Sequence, residues 1–204
     1  MGFYGNLILP KLCDLSMRNK RLRPYRERVI GAAEGRVLEI GAGSGLNLQL
    51  YRSGAREVLA LEPDRNLLRM AERNATRAPR PVTFVEASAE HIPLEDRSFD
   101  TVVTTWTLCT IPDAAHALRE ARRVLKTTGR LLFVEHGLAP ERNVQKWQNR
   151  LTPVWTKISG GCHLNRPIAQ IIETAGFAIE SLETGYLPGP KFLAYLSEGS
   201  ARPI

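Results

Sequence analysis

The chain has three cysteines in 204 residues, Cys13, Cys109 and Cys162, and no two of them form a C-x-x-C pair. A disulfide framework or a zinc site of the usual spacing is therefore not expected, and three ordinary thiols are. No apolar run approaches the ~18 to 20 residues of a membrane span. The opening residues, Met1-Gly2-Phe3-Tyr4-Gly5-Asn6, lack the basic region of a secretory leader and any Ser or Thr placed to suit myristoylation of Gly2. A cytoplasmic location is the expectation. The chain also lacks an aromatic RNA-binding surface.

What is present is a single domain's worth of sequence with ordinary apolar and charged content, enough to bury a substantial core. The net charge of +7 favours anionic partners. Much of it falls between Arg18 and Arg28, where Arg18, Lys20, Arg21, Arg23, Arg26 and Arg28 face one acid, Glu27. Two readings are open for this cluster: a solvated helix face, or a patch that meets an anionic membrane surface.

Pro10 and Pro24 suit the first turns of two short N-terminal helices, a helical cap over residues 1–33. From Arg36 onward strand and helix alternate. Val37 to Ile40, Val58 to Leu61, Val82 to Val85, Phe99 to Thr105 and Arg130 to Glu135 read as strands. Leu46 to Tyr51 reads as the start of a helix. Asp64 is placed to cap another, and Ala114 to Lys126 forms a third that ends at Gly129. Residues 139–164 interrupt the alternation as an insertion on the acceptor side. Asn165 and Pro167 then open a helix that stops at Gly176, and two strands, Phe177 to Glu183 and Phe192 to Ser197, pair antiparallel across a turn-rich link. The expected fold is α/β: a Rossmann-like doubly wound sheet of seven strands, parallel except for the last, with helices on both faces.

The stretch Glu39-Ile40-Gly41-Ala42-Gly43-Ser44-Gly45 is a strand end running into a glycine loop, which lets backbone approach a ligand closely and turns free N–H groups toward it. Leu46 stands where a dinucleotide fingerprint wants its third glycine. Glu39 is placed to meet a cationic amino group. Glu62, 21 positions after Gly41, is placed to accept two ribose hydroxyls. These features favour S-adenosylmethionine (SAM), with an NAD-dependent oxidoreductase or a non-catalytic SAM-binding protein as alternatives.

On Leu38 to Gly45, Leu61-Glu62-Pro63 and Glu86 to Leu94 followed by Ser98-Phe99-Asp100, the chain resembles the class I SAM-dependent methyltransferases, including those of ubiquinone and menaquinone biosynthesis. Leu108-Cys109, Glu135-His136 and Gly161 to Arg166 are similar to segments of the thiol methyltransferases, and the first motif and basic N-terminal region to phospholipid methyltransferases. The resemblance implies a cofactor set of Glu39, Gly41, Ala42, Gly43, Gly45, Asn47, Glu62, Pro63, Ser88, Ala89, Glu90 and Thr105. Ser88 stands where those enzymes usually carry an Asp against adenine.

The implied reaction is in-line methyl transfer to a small or lipophilic acceptor, namely a thiol, an amine or a phospholipid headgroup. Nucleic acid is not the expected acceptor. His136 and His163 are the candidate bases by position, each also readable as a hydrogen-bonded structural histidine. Trp106, Cys109, Trp147, Trp155 and Cys162 are candidate acceptor-side residues. Core packing explains the tryptophans and Cys109 equally well, and Cys109 with Cys162 could instead bind a metalloid acceptor.

Overall fold

The computed structural model describes residues 8–204. Met1 to Leu7, the start of the expected cap over residues 1–33, lie outside the described residues. The run Val37 to Ile40 is buried at every position, as a strand covered on both faces must be. It belongs to β1 (Gly35–Ile40), which pairs in parallel with β2 (Ala55–Leu61) on one side and β4 (Phe99–Thr105) on the other. Outside these lie β3 (Val82–Val85) and β5 (Leu125–His136), also parallel. The sheet closes with β6 (Phe177–Tyr186) and β7 (Tyr195–Pro203), in the order β3-β2-β1-β4-β5-β7-β6. Only β7 runs against its neighbours, β5 and β6.

Each face of the sheet carries its own core. On one, Leu38, Leu59, Val102 and Phe133 pack with Leu118 of α4 (Ala114–Val124) and Ile172 of α6 (Ile168–Thr174). On the other, Val37, Val58, Val103 and Leu132 pack with Ile30 of α2 (Arg23–Gly31) and Ala71 of α3 (Arg65–Ala75). Alternating strand residues feed opposite cores, and each fully buried Leu, Ile or Phe contributes about 1.5–3 kcal/mol. The chain reverses direction in strand order between β1 and β4. That is where open α/β sheets leave a crevice beyond their carboxyl ends.

Several expectations need correction. Leu46 to Leu50 forms successive turns rather than a helix, because Asn47 and Tyr51 are drawn inward to hydrogen-bond Glu39. Gly129 does not end α4; it lies inside β5, which begins at Leu125. Asn165 does not cap α6, whose N-cap is Pro167; its amide instead donates to the side chain of Asn149. Phe192 to Ala194 belongs to a one-turn helix, α7 (Lys191–Ala194), and strand pairing starts at Tyr195. The 139–164 stretch holds a 17-residue helix, α5 (Arg142–Ile158), despite Pro153 within it. Its inward face is fixed by Gln148, which accepts from the Ala139 N–H and donates to the Gly137 carbonyl.

At the N-terminus, α1 (Leu9–Met17) and α2 both carry proline in the first turn, as expected. The hydroxyl of Ser44 donates to Asp14 of α1 at 2.6 Å, which draws that helix across the glycine loop.

Candidate active site

The glycine loop leaves β1 with Gly41, Gly43 and Gly45 all at positive φ (69°, 57° and 77°). The N–H groups of Gly41 and Ala42 donate back to the Leu61 carbonyl, which ties the loop to the end of β2. Gly45 packs on Ala71 of α3. A Cβ on Gly43 would meet nothing nearer than the Gly41 carbonyl at 3.9 Å, so this part of the loop borders open space. A Cβ on Gly41 would strike Thr107 at 2.3 Å.

Two buried carboxylates flank the loop. Glu62 accepts the Gly43 N–H at 2.8 Å and the Asp64 N–H at 3.0 Å, and burial raises its pKa. Glu39, 1% exposed, accepts from Asn47 Nδ2 at 2.7 Å and from the Tyr51 hydroxyl at 2.8 Å. Burial pushes its pKa up to about 7 against the pull of those hydrogen bonds and of Arg26. Asn47 also donates to Thr105 Oγ1, and its own Oδ1 is buried without a partner. Pro63 is exposed beside Glu62. Ser88 is exposed and bonds with Glu90, Ala89 is buried, and Glu90 accepts the Asp113 N–H, which joins this loop to the start of α4.

Arg26 was not singled out as a site residue by sequence reasoning. It is 7% exposed, its guanidinium lies 5.3 Å from the Trp106 ring centroid, and its Nε has no partner. Burial lowers its pKa, while Glu39 and Asp14 act in the opposite sense. Of the basic cluster only Arg26 is buried; Arg18, Lys20, Arg21, Arg23 and Arg28 stay exposed, three of them ion-paired. Arg18 pairs with Asp14, Arg23 with Glu27 and Arg28 with Glu198.

Beyond Thr105 the chain leaves β4 through Trp106, a non-glycine residue at φ 51°. Glu135, fully buried at the end of β5, accepts the Thr107 and Leu108 N–H groups at 3.1 and 3.0 Å, one on each oxygen. Burial pushes its pKa up to about 8. Arg166 donates to the carbonyls of Leu108 and Pro112, which holds the same loop from the far side. His163 bonds the Cys109 carbonyl through its backbone N–H at 2.8 Å, and its Nδ1 lies 3.3 Å from Arg166. These contacts give His163 a scaffolding position.

Cys109 and His136 are buried, and with half-buried Cys162 their ligand-type atoms lie within 4.8 Å of one another. The Cys162 pKa is lowered to about 5, chiefly by the hydrogen bond with Cys109, with further pull from His136 and Trp155. The thiol of Cys109 is correspondingly raised. Trp155 thus stands beside the cluster. Trp147 does not: it is 57% exposed on the outer side of α5, because adjacent Gln148 takes the inward position. It does not wall this pocket.

A family model described as a methyltransferase domain matches residues 38–133. The chain is 36% identical over 190 residues to human thiol S-methyltransferase TMT1B, which covers 88% of this chain and 76% of that protein. It is 37% identical over 154 residues to the Rattus norvegicus TMT1B, covering 72% of this chain and 62% of that one. The chain belongs to the class I SAM-dependent methyltransferases. A putative methyltransferase of Bacillus halodurans has the same fold, with a TM-score of 0.69 at 18% identity over 88% of this chain and 95% of its own. The chain spans about three fifths of the length of the rat relative.

That membership removes the dinucleotide-dependent alternative and makes SAM the cofactor. The residues present fit it. An open glycine cradle, a buried carboxylate on each side of it, an unpartnered Asn47 Oδ1 and an unpartnered Arg26 Nε offer both signs of charge to a zwitterionic nucleoside.

Proposed function

We propose that this methyltransferase acts on a small or lipophilic thiol. The observation that carries the reading is the identity to human thiol S-methyltransferase TMT1B across 88% of the chain. The pairing of Cys109 and Cys162 on the acceptor side agrees with it.

In this reading Glu62 accepts the ribose hydroxyls, while Glu39 and Asn47 face the amino group and Arg26 the carboxylate of the methionyl part. Bound SAM supplies a methyl group already activated on a sulfonium, so the protein's task is chiefly alignment. Glu135 and Arg166 fix the 106–112 loop on which the acceptor side is built. His163 holds that loop and is not the base.

The reading extends to location. Leu12 and Leu15 on α1, and Trp147, Val154 and Ile158 along one side of α5, are exposed large apolar residues. Leu9 of α1 lies against Gly160 just past the end of α5, so the two stretches adjoin. Lys146, Arg150 and Lys157 are exposed along the same helix. An apolar strip bordered by cations suits the interface of an anionic membrane, where lipophilic thiols partition. No helix among the described residues is long and apolar enough to cross a membrane.

A labelled-methyl screen of thiols, amines and phospholipid vesicles tests the acceptor class. Label should enter thiols. Label confined to amines or phospholipid would overturn it, and no transfer to any acceptor would leave a SAM-binding protein only.

A further inference from the structure

Cys109, His136 and Cys162 come from three separate places in the chain: the loop after β4, the end of β5, and the turn after α5. Their ligand-type atoms nonetheless lie within 4.8 Å of one another. Cys162 Sγ is 3.9 Å from His136 Nδ1. Around a tetrahedral zinc ion, bond lengths of about 2.3 Å to sulfur and 2.0–2.1 Å to nitrogen separate sulfur from sulfur by ~3.8 Å and sulfur from nitrogen by ~3.5 Å. The trio therefore needs to close by only a few tenths of an ångström on that edge. His136 is 6% exposed; its Nδ1 faces Cys162 Sγ and its Nε2 is buried without a partner, so within the described structure the ring is held by its sulfur neighbour rather than by an oxygen acceptor.

We propose that Cys109, His136 and Cys162 hold a zinc ion whose fourth position takes the sulfur of the thiol acceptor. Two thiolates and an imidazole form a soft set suited to zinc, and three protein ligands with an open position are the mark of a catalytic rather than a structural site. The cluster also adjoins the cofactor pocket. Thr107, two residues before Cys109, touches Gly41, and Cys13 of α1 lies within electrostatic range of both Cys162 and Glu62.

This inference rests on the thiol reading of the acceptor. On binding zinc the acceptor loses its proton to solvent and becomes a thiolate at neutral pH. Its sulfur lone pair forms the new bond to the methyl carbon as the sulfonium carbon–sulfur bond breaks. The products are a thioether and S-adenosylhomocysteine. No protein base is required, which accounts for a site whose one well-placed histidine, His136, sits among thiols.

The test uses the full chain, purified reduced and without chelators. Elemental analysis should find about one zinc per chain, and cobalt substitution should give a thiolate-to-cobalt charge-transfer band. Adding a small thiol in the absence of SAM should shift the cobalt visible spectrum. Cys162→Ser, half-buried and so the gentler change, should lose the metal and about tenfold or more of thiol methylation, while titration with S-adenosylhomocysteine reports an intact cofactor pocket.

Reduced, folded protein that binds neither zinc nor cobalt overturns the proposal. So does a Cys109–Cys162 disulfide in the active enzyme, or a cobalt spectrum unmoved by thiol. Because metal and cobalt readings need neither SAM nor an acceptor, they separate failure of the site from failure of the thiol assignment.

Discussion

The N–H of Gly43 donates to the carboxylate of Glu62 at 2.8 Å, so the glycine loop and the end of β2 are one rigid unit. A second hydrogen bond, from the Asp64 N–H, orients the same carboxylate and leads into the helix that Asp64 caps. Glu62→Ala removes both anchors together with the proposed ribose contact. Charge-assisted hydrogen bonds are worth about 1.5–3 kcal/mol, so calorimetric affinity for S-adenosylhomocysteine should fall about 10- to 100-fold. Unchanged affinity would remove Glu62 from the site.

Arg26 should read the carboxylate of the cofactor and nothing else of it. Wild-type protein should therefore bind S-adenosylhomocysteine more tightly than 5′-methylthioadenosine, which lacks the amino acid end. Arg26→Ala should cost the first ligand about tenfold or more and the second much less. An equal loss for both ligands would mean that Arg26 only packs against Trp106.

The two glycines differ in what a methyl group would do. In Gly41→Ala the new Cβ would collide with Thr107 at 2.3 Å in a left-handed backbone conformation, so stability should drop by several kcal/mol in denaturant unfolding. In Gly43→Ala the new Cβ enters open space and only the backbone term of about 1–2 kcal/mol applies. Its larger effect should be on cofactor affinity, since the methyl occupies the cradle. Equal stability losses and no affinity difference would contradict this geometry.

Two buried carboxyls make the protein's stability pH-dependent. Burial pushes the pKa values of Glu39 and Glu135 up to about 7 and about 8, from about 4.5 for a glutamate in water. The folded state thus holds these protons more tightly than the unfolded chain, so the associated stability is fully present below about pH 4.5 and is lost as pH rises through 7 to 8. Over the whole interval Glu39 should contribute on the order of 3 kcal/mol and Glu135 on the order of 5 kcal/mol, from about 1.4 kcal/mol per unit, with roughly half of the total falling above pH 6. Urea unfolding at pH 6 and pH 9 should show the loss, and Glu135→Gln should flatten the profile. A stability that rises across this window would be the wrong sign.

Vesicle co-sedimentation checks the surface reading. Binding to anionic vesicles should be strong at low salt and reduced at high salt. Trp147→Asp, on the outer side of α5, should weaken it without changing S-adenosylhomocysteine affinity. Absence of sedimentation at low salt would mean that the apolar strip has another use.

The strands and the cofactor end of the site were legible because their signals are local. Phe99 to Thr105 is a β-branched run bounded by turns, and it is β4 to the residue. Glu62 follows from its spacing to Gly41. The turns at Leu46 to Leu50 were misread as a helix because the pull of Glu39 on Asn47 and Tyr51 is a tertiary contact that no pattern displays. Arg26 was hidden for the opposite reason. It sits in a run of cations that reads as surface, and only the packing of α2 against Trp106 buries it. The sequence suggests Cys109 and Cys162 as a pair and His136 apart from them as a base, but His136 lies 27 positions after Cys109 and 26 before Cys162, so the meeting of all three is a property of the topology.

The hydrogen bond from Ser44 to Asp14 has a consequence for turnover. The helix that Asp14 anchors to the glycine loop also displays Leu12 and Leu15 outward. On the proposed surface-bound form, a lipid surface gripping those two leucines and a product leaving past the loop would compete for the freedom of one nine-residue helix. Residence on that surface and residence of the spent cofactor would then run on the same clock, with the enzyme slowest where it is most firmly seated.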